Sequence, residues 1–128
     1  MQVTINHIAL YVRNLQKSTF FYKEIMQLKS IPEPFNTGNH SWFQVGDRCQ
    51  LHLIGGAKDA VTLHINNHIS FSTHSVDDFA KRLNEEGIVY YDAFKKRGVI
   101  YVRPDGIKQI FFQDPDGYWL EMNNDIKS

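Results

Sequence analysis

An internal repeat constrains this chain more than any single motif does. Asn6-His7-Ile8 recurs 61 positions on as Asn67-His68-Ile69, and each copy leads into a short extended stretch and then an amphipathic helix. Later, Trp42-Phe43-Gln44-Val45-Gly46-Asp47-Arg48-Cys49-Gln50-Leu51-His52-Leu53 aligns without a gap on Phe111-Phe112-Gln113-Asp114-Pro115-Asp116-Gly117-Tyr118-Trp119-Leu120-Glu121-Met122 at an offset of 69. Phe, Gln, Asp and Leu are identical between those stretches, and the matches keep their order in both halves. A repeat of this period means two copies of one supersecondary unit, neither of which buries its apolar face alone. The offset grows between the two matches, so the second copy carries extra residues, expected around Arg103-Pro104-Asp105-Gly106.

Hydrophobic periodicity fills in the unit. Ile5 to Val12 reads as a strand, Asn14 as a helix cap, and Leu15, Thr19, Tyr22 and Met26 as one helical face. The second copy repeats this with a strand over Ile65–Thr73, a cap at Ser75 with Asp78 three residues on, a Val76, Phe79, Ala80, Leu83 stripe, and a stop at Gly87. Strands are then predicted over 28–32, 41–45 and 50–54 in the first half and over 89–93, 99–103, 108–113 and 118–123 in the second. The second half thus offers one strand more than the first. The expected architecture is α+β: two βαβββ modules in tandem, about 1–59 and 60–128, forming a mixed-sheet cleft within one domain over 1–128. Gly55-Gly56-Ala57-Lys58-Asp59 is too short a linker to separate independent domains.

The 128 residues are enough for one core without disulfide staples, and the single Cys49 cannot form an internal bridge, so cytoplasmic usage is expected. Fourteen basic residues balance fourteen acidic ones, which gives no electrostatic footprint for nucleic acid. No apolar run approaches the roughly 18 residues of a membrane helix, and the first seven residues do not read as a signal peptide. Neither nucleic acid nor membrane is therefore expected as a partner. Six histidines are many for so short a neutral chain.

Strand parity places several of them. Side chains alternate across a strand, so His7, Ala9 and Tyr11 share one face and Ile8, Leu10 and Val12 the other. The same alternation sets His68, Ser70, Ser72 and His74 against Ile69, Phe71 and Thr73, Gln50 and His52 against Leu51 and Leu53, and Trp119, Glu121 and Asn123 against Leu120 and Met122. The repeat pairs His7 with His68 and His52 with Glu121. Related by a pseudo-twofold axis, those four side chains would converge on one point. Three imidazoles and a carboxylate suit divalent Zn, Ni, Co, Fe or Mn better than Ca or Mg. His64, four residues before His68, is a candidate to support the site from behind.

Asn6-His7-Ile8-Ala9-Leu10-Tyr11-Val12, Phe20-Phe21-Tyr22, Asn67-His68-Ile69-Ser70-Phe71 and the run from Gln109 through Asp114-Pro115-Asp116-Gly117 to Glu121 resemble the vicinal oxygen chelate superfamily. That superfamily includes glyoxalase I, fosfomycin resistance proteins, methylmalonyl-CoA epimerase, extradiol dioxygenases and bleomycin resistance proteins. The resemblance covers nearly the whole chain and is closest to small glyoxalase I-type members. It implies paired βαβββ modules around a metal-holding cleft, often in a homodimer, with His7, His68 and Glu121 as ligands and His52 at the remaining ligand position. The chain departs from glyoxalase I in having His52 in place of a carboxylate, Tyr11 in place of an arginine that helps bind glutathione, and Gly56 in place of an asparagine.

The implied chemistry is capture of a small molecule through two neighbouring oxygens, with the metal stabilising the anion that forms on one of them. The expected activity is accordingly that of a metal-dependent lyase or isomerase moving a proton, with Glu121 or a metal-bound hydroxide as base and Tyr11, His64 or His74 as helpers. Tyr11, Trp119 and Arg103 are the expected substrate contacts. Two alternatives accompany this reading: a thiol transferase of the fosfomycin-resistance type, using Lys108 or Arg103 to grip an anion, and a non-catalytic protein of the bleomycin-resistance type that holds its ligand between Trp42, Trp119 and Tyr118.

Overall fold

The computed structural model describes residues 1–126. The chain divides into two compact units, Met1–Ala60 and a second beginning at Val61. Each is a βαβββ module, so the architecture is α+β as the sequence predicts.

In the first unit, β1 (His7–Val12) runs into α1 (Leu15–Phe20), which continues as a π-helical turn over Phe21–Ile25; β2 (Lys29–Ile31), β3 (His40–Val45) and β4 (Cys49–Gly55) follow. The sheet order is β1-β4-β3-β2, with β1 parallel to β4 and the other pairs antiparallel. Asn14 caps α1, its side chain accepting from the Lys17 N–H at 3.0 Å. Leu10, Val12, Phe43, Leu51 and Leu53 are buried, as are Phe21, Tyr22, Ile25 and Met26 on the helical segment. Tyr22 reaches the sheet through Phe43, with ring centroids 6.4 Å apart. By register the opposite sheet face carries His7, Ala9 and Tyr11 of β1, His52 of β4, and His40 and Trp42 of β3.

The second unit repeats the order with β5 (His68–Ser72), α2 (Val76–Glu85), β6 (Tyr90–Tyr91), β7 (Tyr101–Val102), β8 (Lys108–Gln113) and β9 (Trp119–Asn123). Its sheet order is β5-β9-β8-β6, with β7 also paired to β8. Ser75 caps α2 by accepting from the Asp78 N–H at 3.1 Å. At the other end Gly87 sits at φ 71° while the Ile88 N–H returns to the Leu83 carbonyl at 2.8 Å, closing the helix as the left-handed residue after it requires. Val76, Phe79, Ala80 and Leu83 are buried, and Phe79 meets Phe112 with centroids 5.3 Å apart.

The extra strand of the second unit has a simple origin. With β9 on one side of β8, both β6 and β7 lie along its other edge: Tyr90 and Tyr91 face Phe112 and Phe111, and Tyr101 and Val102 face Gln109 and Lys108. They are two pieces of one edge strand, interrupted by an excursion over 92–100. The additional residues of the second repeat fall between β6 and β8, a stretch that holds this excursion as well as the Arg103–Gly106 turn. The Asp92 carboxylate organises it by accepting from the Phe94 and Lys96 N–H groups, each at 2.8 Å. One further expectation is corrected here. The strand predicted from Ile65 starts only at His68, because residues 64–67 form a turn closed by the Asn67 N–H on the His64 carbonyl at 2.8 Å. His64 is thus not on the strand, and its Nδ1 accepts from the Asn66 N–H at 3.1 Å.

Candidate functional site

Each unit brings together two of the four candidate residues, one from each of the repeat-related pairs. In the first, His7 and His52 stack, with ring centroids 4.2 Å apart and planes 17° from parallel. They come from neighbouring parallel strands, offset by two residues in register because His52 lies opposite Ala9. Trp42, opposite His52 on β3, covers the other side of the His52 ring at 3.7 Å and 3°. His52 is consequently buried, and its pKa lies below 6.5, chiefly because burial disfavours the charged ring and also because His7 and His40 stand nearby. A neutral imidazole is the form that ligates a metal. The His7 Nδ1 lies 2.7 Å from Asn6 Oδ1, which assigns the proton to Nδ1 and leaves Nε2 with its lone pair. His52 has the reverse arrangement, its Nε2 lying 2.8 Å from Gln50 Oε1. Two ring nitrogens on the same face, His40 Nδ1 and Trp42 Nε1, are buried without a hydrogen-bond partner.

In the second unit, His68 Nε2 lies 3.1 Å from Glu121 Oε1. The other ring nitrogen, Nδ1, lies 2.7 Å from the Ile65 carbonyl oxygen. A carbonyl oxygen only accepts, so Nδ1 carries the proton and the Nε2 of a neutral ring turns its lone pair toward the carboxylate. Two electron-rich atoms at that separation require positive charge, supplied by a proton on Nε2 or by a cation. A backbone carbonyl at Nδ1 is also the common support for a histidine that ligates through Nε2. Glu121 is buried at 7% exposure. Its Oε2 accepts from Gln109 Nε2 at 3.0 Å and from Asn123 Nδ2 at 2.7 Å. These side chains are of the kind a divalent transition metal takes: imidazoles with one nitrogen committed elsewhere, and one buried carboxylate whose Oε1 faces His68 Nε2. Among the described residues no single cluster of three or more His, Cys, Asp or Glu side chains that could hold a metal forms, and the candidates stand as two pairs.

A cavity of about 740 Å³ opens over the Glu121 face of the second unit, lined by Ser70, Ser72, His74, Arg103, Glu121 and Asn123 among others. Its lining is rich in hydroxyl, amide and charged groups. Arg103 binds Asp105 through two nitrogens and approaches Asp125 at 3.7 Å. The hydrogen bond to Asp105 raises the Arg103 pKa and lowers that of Asp105. The other expected substrate contacts have structural partners. Trp119 is buried with Ile65 and Phe111, and its indole N–H donates to the Leu63 carbonyl at 3.0 Å. The Tyr11 hydroxyl donates to the Gly56 carbonyl at 2.8 Å. Lys108 is paired with Asp77 at 2.8 Å.

The approach of Glu121 to the sheet face depends on the turn before β9. Asp114 Oδ1 accepts from the Asp116 N–H at 2.9 Å and the Tyr118 N–H at 3.0 Å, fixing the register between β8 and β9. Gln109 and Asn123 were not among the expected site residues. The available signal was register: Asn123 shares a strand face with Glu121, and the hairpin places Gln109 directly opposite Asn123.

The matching family model is that of the Glyoxalase/Bleomycin resistance protein/Dioxygenase superfamily, over residues 4–122, and the chain belongs to that superfamily. Among individual proteins it is similar to Glyoxylase I 4 of Arabidopsis thaliana, 29% identical over 127 residues that span 94% of this chain and 70% of the relative. It is also similar to the glutathione transferase FosA of Serratia marcescens, 27% identical over 127 residues, 96% of this chain and 82% of the relative. In structure, a glyoxalase/dioxygenase from Nostoc punctiforme superposes with a TM-score of 0.77 at 22% identity, covering 97% of this chain and 92% of that one. No helix among the described residues is long and apolar enough to cross a membrane.

Proposed function

We propose that the protein is a metal-dependent glyoxalase-like enzyme, a lyase or isomerase that moves a proton on a small substrate bound through two neighbouring oxygens. The proposed ligands of a divalent transition metal are His7 and His52 in the first unit and His68 and Glu121 in the second. The observation that carries the reading is the His68–Glu121 pair, whose Nε2 and Oε1 face each other at 3.1 Å while the remaining polar atoms of both side chains are engaged elsewhere. When bound, a divalent cation supplies Lewis-acid polarisation of a substrate carbonyl.

The residues of the chain do the rest. Glu121 supplies the one negative charge among these side chains and is the proposed base for the substrate proton. Arg103, on the wall of the same cavity, is the proposed contact for a substrate oxygen, its guanidinium oriented by Asp105 and Asp125. Trp119 and Tyr11 complete the proposed substrate contacts through their rings, since the polar atom of each already has a backbone partner. Tyr11 serves as a proton carrier only by releasing Gly56. The same reading includes a homodimer, which light scattering would reveal as twice the chain mass.

The test is turnover of the hemithioacetal formed from methylglyoxal and glutathione after loading with Zn, Ni, Co, Fe or Mn in turn. Activity that falls at least about 100-fold in Glu121→Gln is expected. Full activity in that variant sinks the assignment. A second reading, thiol transfer to an anionic antibiotic, is favoured by the similarity to FosA and to the metallothiol transferase FosB of Shouchella clausii. Consumption of fosfomycin with a thiol present, and none of the hemithioacetal, selects it.

A further inference from the structure

We infer that Gln109 and Asn123 are positioning residues that lock the Glu121 carboxylate so that Oε1 alone is presented to a bound cation; this rests on the proposed metal-ligand role of Glu121. Both are neutral amides, and both donate to the same oxygen, Oε2, at 3.0 and 2.7 Å. Two N–H donors on one carboxylate oxygen fix the rotation of the group and occupy that oxygen, so the carboxylate serves as a one-oxygen ligand. Neutral donors achieve this without cancelling the charge that attracts the cation, which a lysine or arginine in their place would do.

Asn123 is itself immobilised. Its second N–H donates to Ser70 Oγ at 3.0 Å, and its Oδ1 accepts from Ser72 Oγ and the Asp125 N–H, each at 3.0 Å. All four of its hydrogen-bonding positions are thereby used, which leaves one orientation of the amide and makes Nδ2 the atom facing Glu121. Asn123 is 7% exposed, so little of it is open to solvent that would compete for the bond. Gln109 reaches the same oxygen from β8, across the hairpin that the Asp114 turn holds in register. Ligand-orienting partners of this kind typically contribute 10- to 100-fold to metal affinity.

The experiment is a Co²⁺ titration of the purified full chain against a chromophoric chelator, with the visible absorption of bound Co²⁺ recorded. Gln109→Met keeps the length and removes the donor; Asn123→Ser shortens the other arm; Gln44→Met, the same change at an amide that donates to the Gly46 carbonyl and not to Glu121, is the control. Each of the first two is expected to weaken Co²⁺ binding 10- to 100-fold and to alter its spectrum, while thermal unfolding in excess chelator shows whether the variant is folded. Gln44→Met is expected to stay within about threefold of the parent. Gln109→Met binding Co²⁺ as tightly as the parent, with an unchanged spectrum, overturns the inference while leaving Glu121 as a ligand. Unchanged binding in Glu121→Ala removes both that ligand role and the inference built on it.

Discussion

Gly117→Ala isolates the close approach that sets β9, and with it Glu121, in place. Gly117 has φ +96°, and a Cβ added there would stand 2.6 Å from the Val61 carbonyl oxygen. The positive φ alone costs an alanine roughly 1–2 kcal/mol. The clash adds to this, because the atom met is backbone and the Val61 segment is itself tied to the turn, its N–H donating to the Asp116 carbonyl at 2.9 Å. Moving it strains or breaks that bond, worth about 1 kcal/mol. The expected destabilisation is therefore about 2–4 kcal/mol, or roughly 8–16 °C in Tm at about 4 °C per kcal/mol for a chain of this size. Gly106→Ala is the matched control: φ is +88° and nothing lies within 4 Å of the added Cβ, so only the conformational part, about 1–2 kcal/mol, is expected. Urea unfolding of the two variants beside the parent measures the difference. Equal losses at the two glycines would refute the claim that contact with Val61 holds the turn.

Two further outcomes follow from the same structure. Ser75→Ala removes the acceptor for the Asp78 N–H and is expected to cost about 1 kcal/mol by urea unfolding, with Ser75→Asp recovering most of it. The metal-free protein is expected to lose stability as pH falls through 6.5 and below. The His52 pKa is lower in the folded chain, so the unfolded chain binds the extra proton first and acid favours unfolding until pH drops below the lowered value. In His52→Gln that part of the pH dependence of Tm, measured in chelator between pH 7.5 and 5, is expected to disappear.

Much of the fold was legible because two independent patterns agreed. The repeat gave the order of elements, and alternation along β1, β4, β5 and β9 gave the faces. Asn14, Ser75 and Gly87 marked helix ends correctly because each acts through its own backbone surroundings. The strand expected over Val99 to Arg103 is present as β7, on the same edge of β8 as β6. The error arose where a turn interrupts a strand. His64 matched the spacing of a strand face, but the turn at 64–67 breaks the alternation before His68. At the candidate site, the repeat and strand parity singled out His7, His52, His68 and Glu121 as candidates. The Gln109 and Asn123 contacts were not legible, since one carboxylate oxygen shared by two amides is a consequence of hairpin register. Nor does sequence reveal that Trp42 covers His52 or that the Ile65 carbonyl holds His68.

Metal stoichiometry tests the central claim most directly. The purified chain is stripped with chelator, reconstituted with each of Zn, Ni, Co, Fe and Mn, desalted and measured by elemental analysis, with Tm recorded before and after. About one equivalent of a divalent metal per chain is expected, with a rise in Tm, since a ligand that binds the folded state at 100 times its Kd stabilises it by about 2.7 kcal/mol. Both are expected to be lost in His68→Ala and in Glu121→Ala. No stoichiometric metal and no gain in Tm with any of the five ions would contradict the metal-dependent reading and favour a ligand-holding protein in its place.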